Sequence, residues 1–215
     1  MGSPAVALYR ASLLYLPPVW IAQNASKIGT EAATSTGEND YALLLITSSV
    51  SGSPPPSAFP FVSITTNPPG PKDSAFVAAY AAQYLGGIII QKSLSASSAF
   101  SSVQELFSFN EKSPTIDVVS LGGSVVSQEG SSGGAVVRPQ DGALEGVIAT
   151  ESEGATTADR ELYAITLGHI DRSLAAQGQG GLVPLLSGDL GAKAVDFTTQ
   201  TAPGLTQQLV RVLGH

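Results

Sequence analysis

The sequence predicts an all-β fold, and three observations carry that prediction. Short apolar runs recur from residue 6 to residue 167. Gly, Ser, Pro, Asn and Asp fill most of the gaps between them. Helical periodicity is almost absent before residue 169. Many short strands separated by turn residues, with no helices to cover a parallel sheet, make a sandwich or a barrel.

Residues 6–16 and 19–22 are rich in Val, Leu, Tyr and Trp and read as two strands around the Pro17-Pro18 break. Residues 24–39 are small and polar, a long exposed connection. The run Asp40-Tyr41-Ala42-Leu43-Leu44-Leu45-Ile46-Thr47 fits a buried strand with Asp40 at its mouth. Loops heavy in Pro, Ser and Gly at 48–57 and 67–72 flank a short strand at 59–65, and the second loop is the best boundary between structural units. Further strands are expected at 75–81, 87–91, 103–109, 115–121, 134–138, 143–150 and 162–167. A helix follows at 169–177, with Ile170 and Leu174 four apart and Gly178 as its stop. Beyond a glycine-rich link, residues 204–213 put Leu205, Leu209 and Val212/Leu213 on one helical face, expected to dock on the chain's own core.

The composition narrows the function. With 215 residues, 43% hydrophobic and 13% charged, the chain can bury a substantial core beneath an unusually neutral surface. A net charge of −7 and the lack of any Lys/Arg cluster argue against nucleic acid and anionic membrane as partners. Without cysteine there are neither disulfides nor thiolate metal sites. Two histidines, His169 and His215, are too few for a histidine-rich metal centre, so no metal is expected. No apolar run reaches membrane-spanning length, and Met1-Gly2-Ser3 lacks the basic and apolar regions of a signal peptide. The compartment stays open.

One stretch suggests chemistry. Gly130-Ser131-Ser132-Gly133-Gly134 lies between two expected strands. A serine in so tight a glycine loop exposes its hydroxyl, and the loop's N–H groups, here those of Gly130 and Ser132, can converge beside it. A nucleophile next to an oxyanion-stabilising pocket is what acyl transfer needs. The plain alternative is a flexible Gly/Ser turn, in a chain that has 23 glycines.

Two segments together resemble the trypsin-like serine proteases. Asn39-Asp40-Tyr41-Ala42-Leu43-Leu44-Leu45 is similar to the segment that carries the acid of their triad, and the Ser132 loop to their Gly-x-Ser-Gly-Gly nucleophile loop. The surroundings at 76–87, 142–148 and 163–177 resemble the family's second barrel, its cleft-lining hairpin, and its last strand and helix. The resemblance covers about residues 13–177. It implies two six-stranded barrels with the site between them, and a serine endopeptidase acting without cofactor on peptide or protein substrates through an acyl-enzyme. Residue by residue, it implies Ser132 as nucleophile, Asp40 as orienting acid, and the Gly130 and Ser132 N–H groups as the oxyanion hole. Val126, Ala149 and Thr150 fall where the family lines its substrate pocket. An apolar Val126 at the pocket base would favour an uncharged side chain before the cleaved bond. The implied organisation is a first barrel in 1–68, a second barrel with its helix in 69–178, and an extension in 179–215.

Two departures bear on activity. Ser131 stands where digestive members carry an aspartate, so activation by a newly cut N-terminal ammonium is not expected. In the family the histidine precedes the aspartate, yet none lies before Asp40. His169 reads as a cap or surface residue. The chain is therefore expected to be a family member lacking its N-terminal third, with an incomplete first barrel, exposed strand edges open to self-association, and little or no activity. A non-enzymatic, protease-like binding module is the alternative. A third reading is an α/β-hydrolase elbow at Gly130–Gly134 with Asp189 or Asp196 and His215 downstream, which would need a helix straight after the serine.

Overall fold

The computed structural model describes residues 4–28, 30, 37–81, 95–152 and 154–214. The chain divides into two compact units, one made of Met1–Val6 and Pro60–Asp171, the other of Ala7–Phe59 and Arg172–His215.

The first unit is a closed antiparallel barrel. Its strands are β3 (Ser74–Ala79), β4 (Ser97–Phe107), β5 (Val118–Leu121), β6 (Ala135–Arg138), β7 (Ala143–Glu151) and β8 (Leu162–Thr166), in the spatial order β3-β4-β5-β8-β7-β6, with β6 closing on β3. Alternation along β3 shows why the sheet curls into a barrel: Ala75, Val77 and Ala79 are buried, while Ser74 and the residues between face outward. The interior is completed by Val103, Val119, Leu121, Val136, Ile148, Leu162 and Ala164. Each such Val or Leu contributes about 1.5–3 kcal/mol by leaving water, and closure gives every described strand of the barrel a partner on both sides. Outside the barrel, Phe76 and Phe100 stand opposite each other in register, ring centroids 5.3 Å apart, on the solvent side of the sheet.

The barrel agrees with the expected all-β class, with most strands within a few residues of their expected bounds. Three expectations change. The strand expected at 103–109 starts six residues earlier, at Ser97, because Ser97–Ser102 pair with β3. The strand at 59–65 is only an isolated bridge, Ile64 to Leu144, because Phe61 and Val62 are exposed and have no alternating buried partner. The strand at 115–121 begins late, at Val118, after the buried Asp117. The strand expected at 87–91 lies outside the described residues.

The second unit holds a two-stranded antiparallel sheet, β1 (Tyr9–Tyr15) with β2 (Leu43–Ser49), and most of the helices. Residues 19–22 are not a strand: Pro18 opens a helix, α1 (Pro18–Asn24). A proline at the first helical position gives up an N–H that would be unsatisfied anyway, and its φ already suits the helix. Nor is β2 a buried strand, since Leu44 is 65% and Ile46 43% exposed. Helix α2 (Leu167–Ala176) spans the division between the units and is capped by Thr166, whose hydroxyl accepts from His169 N at 3.1 Å.

More helix follows than the sequence suggested: α3 (Leu182–Leu185), α4 (Leu190–Asp196), a π-helical turn at Phe197–Thr201, and α5 (Ala202–Leu213). Asp189 caps α4 by accepting from Ala192 N at 2.9 Å. On α5 Leu205 is buried while Val212 and Leu213 are exposed, so only the first part of the expected apolar face is covered. Among the described residues no helix is long and apolar enough to cross a membrane.

Candidate active site at the Ser132 turn

The Ser132 turn is built by local hydrogen bonds between β5 and β6. Ser127 N donates to Ser124 O, Gln128 N to Val126 O, and Ser131 N to Gln128 O. Ser131 is 2% exposed, and its hydroxyl donates to the Val126 carbonyl at 2.5 Å. A side chain that binds backbone inside the loop thus occupies the position before Ser132. Gly130 and Gly133 have φ of 85° and 84°, a left-handed conformation that side chains resist. Gly133 N then donates to Ile148 O and Ile148 N to Gly134 O, which seams the turn to β7. Gly134 has no room for a Cβ: an ideal one would lie 2.6 Å from Ala79 Cβ and 2.8 Å from the Ala78 and Ser131 carbonyl oxygens.

This scaffold leaves Ser132 exposed, with its Oγ donating to the Ala149 carbonyl at 3.0 Å. Among the described residues neither the Gly130 N–H nor the Ser132 N–H has an acceptor. Beside the serine is a cavity of about 230 Å3 walled by Gln128, Ile148, Thr150 and Leu162 as well as by the turn itself. Of the three pocket residues expected from the sequence, Thr150 lines this cavity and Ala149 presents its carbonyl to Ser132. Val126 is fully buried within the barrel core.

Asp40 belongs to the other unit. Its N–H donates to Gly37 O at 3.0 Å, and its neighbours are tied down on both sides. Asn39 Nδ2 donates to Gln23 Oε1 at 3.0 Å, and Tyr41 OH to Ser173 Oγ at 2.9 Å. The residue is exposed at its outer surface, yet chain packed about the carboxyl desolvates it and raises its pKa. Among the described residues this carboxyl accepts no hydrogen bond.

His169 is not a surface residue. It is 8% exposed, its Nδ1 lies 3.1 Å from Asp117 Oδ1, and the Phe109 ring packs edge-on at 4.8 Å. Asp117 also accepts from Phe109 N at 2.9 Å and Ser108 Oγ at 3.1 Å. This pair pins α2 to the start of β5. Its signal was an aspartate among the apolar residues Ile116, Val118 and Val119. A second buried acid, Glu145, also went unread. It is 2% exposed, its Oε1 has no hydrogen-bond partner among the described residues, and burial pushes its pKa up to about 7. His215 lies outside the described residues, among which no cluster of His, Asp and Glu could hold a metal ion.

No protein-family model and no curated protein matches the chain. Among solved structures it is similar to the Rv3671c protease from M. tuberculosis. The active form is 14% identical at a TM-score of 0.42, covering 78% of this chain and 58% of that one. The inactive form is 19% identical at a TM-score of 0.38, covering 64% of this chain and 60% of that one. It is similar also to neuropsin, a serine protease expressed in the limbic system of mouse brain, 16% identical at a TM-score of 0.42, with 69% of this chain and 67% of that one covered. The chain thus spans well under two thirds of the Rv3671c chains. At such low TM-scores and identities, no residue role passes from these proteins to this chain. The closed six-stranded barrel, the smaller sheet and the helix after β8 are consistent with a trypsin-like fold. They exclude the α/β-hydrolase reading: the barrel is antiparallel, a strand rather than a helix follows Ser132, and Asp189 is a helix cap.

Proposed function

We propose that the Ser132 turn is an acyl-transfer site of serine-endopeptidase type. Peptide would bind across the turn with a side chain in the 230 Å3 cavity. Ser132 Oγ would attack the carbonyl, and the N–H groups of Gly130 and Ser132 would hold the oxyanion. Asp40 is proposed as the acid that orients the base. The observation that carries this reading is an exposed serine hydroxyl on a constrained turn, flanked by two backbone donors without acceptors among the described residues and by a side-chain-sized cavity.

In the 215-residue chain we place the activity near zero. His169 is engaged with Asp117, and Ser132 Oγ rests on a carbonyl that cannot usefully take its proton during attack. Without the base, catalysis falls by several powers of ten. This also favours the second reading, a protease-like module that binds peptide without cutting it.

Fluorophosphonate labelling of the purified chain tests both. The expected result is slow labelling at Ser132, accelerated by free imidazole and abolished by Ser132→Ala. Rapid labelling without imidazole would show that another group already activates the hydroxyl. No labelling at any imidazole concentration would remove the acyl-transfer reading, and saturable binding of casein-derived peptides would then leave the binding module.

A further inference from the structure

A cavity of about 500 Å3 is lined by residues of the second unit, whereas the Ser132 turn belongs to the first. That volume is within the range of small-molecule sites. Its walls come from β1, α1, the segment after α2, and the π-helical turn after α4. Two aromatic rings set its apolar side: Tyr15 and Phe197, both buried, meet edge to face at 5.7 Å.

The polar groups on its wall sort by remaining capacity. Lys193 Nζ donates to the Pro184, Leu185 and Ser187 carbonyls at 2.7, 3.0 and 2.7 Å, so all three of its N–H bonds are spent on closing α3. The Gln177 amide is spent as well: Oε1 accepts from Tyr15 OH at 3.0 Å, and Nε2 donates to Ser173 Oγ at 2.9 Å. The Asp196 carboxylate, by contrast, has no hydrogen-bond or ion partner among the described residues. The one cation on the wall is in use and the carboxylate is not. The π-helical turn begins next to Asp196 and carries both Phe197 and Thr201 to the wall. Such turns pack less well than the α-helix and recur at functional sites.

We infer that this cavity binds a small organic amine. The ammonium group pairs with Asp196 at the rim, and the apolar body lies against Tyr15 and Phe197, whose ring faces also attract a cation. An anion finds no free cation here, because Lys193 has no N–H left to give and Asp196 repels it.

The test uses the whole chain and three probes of one shape: phenethylamine, 2-phenylethanol and 3-phenylpropionate. Calorimetric titration gives the affinities. Fluorescence of Trp20, the only tryptophan, locates the binding, since its helix neighbours Pro18 and Val19 line the cavity. Phenethylamine is expected to bind saturably and to change the Trp20 emission. The alcohol is expected to bind about fivefold more weakly, as for loss of an ion pair at a partly exposed site, and the acid more weakly still. In Asp196→Asn, a change at an exposed position, the amine should fall to the level of the alcohol, with the alcohol unchanged. Equal affinity for the three probes, no saturable amine binding, or amine binding that is indifferent to Asp196→Asn would each overturn the inference.

Discussion

Glu145 makes the barrel's stability depend on pH, in a direction opposite to that of an ordinary salt-bridged acid. The side chain is shut off from water on β7, and one of its oxygens lacks a partner among the described residues. The nearby guanidinium of Arg138 favours the ionised form, but it is already paired with Asp141 at 2.6 Å, and Asp73 and Asp141 oppose ionisation. Burial therefore dominates and raises the pKa from 4.5 to about 7. The folded state holds this proton to higher pH than the unfolded chain does. The group's contribution is greatest below pH 4.5, is lost as pH climbs from 4.5 to 7, and is flat above that. At about 1.36 kcal/mol per tenfold change in proton affinity, the ceiling is about 3.4 kcal/mol. The carboxyl is closed to solvent yet only moderately crowded by protein atoms, so local relaxation and water entry reduce this to about 2 kcal/mol. Glu145→Gln keeps the shape of the neutral acid and removes the titration. Calorimetric scans of both proteins from pH 4 to 8 should nearly superimpose at the acid end. By pH 8 the variant should melt higher by roughly 4–8 °C, at about 2–4 °C per kcal/mol for a chain of this size. Taking the difference between the two proteins cancels every other titrating group. A difference that does not change with pH, or one that grows toward acid, would refute the burial argument.

Two further changes probe the frame around the site. Gly134→Ala must push a methyl into Ala79 and two backbone carbonyls; a loss of about 1–3 kcal/mol in urea unfolding is expected, together with reduced fluorophosphonate labelling at Ser132, and wild-type stability would mean that the turn yields easily. His169→Gln deprives Asp117 of one partner but leaves the Phe109 N and Ser108 Oγ bonds; a loss of about 1–3 kcal/mol is expected, read as earlier hydrogen exchange in β5 and α2, whereas unchanged protection would deny the pair its role in pinning the helix.

What could be read from the sequence was what is encoded locally. Ala75, Val77 and Ala79 alternate with outward residues, so β3 shows itself in six positions. The Ser132 turn does so in five, because Gly130 and Gly133 take left-handed angles and Gly134 has no room for a side chain. The misreadings share a different cause. Val19 to Ala22 carries strand-forming residues, yet the Pro at the head of α1 and the partners available to Ile21 make it a helix. Asp117 and His169 are 52 positions apart, and neither looks buried until the barrel brings β5 and α2 together. Glu145 sits in a strand that otherwise alternates plausibly, and only closure of the barrel excludes water from it. Local backbone demands select glycine or proline and so leave a mark in composition. A buried charge is selected by groups from distant strands, and its own letter is the same one that marks a solvated surface. For the same reason the turn that presents Ser132 could be recognised from one short stretch. Whether its hydroxyl is activated depends on a base that must come from elsewhere in the fold, and the one described imidazole is held by Asp117.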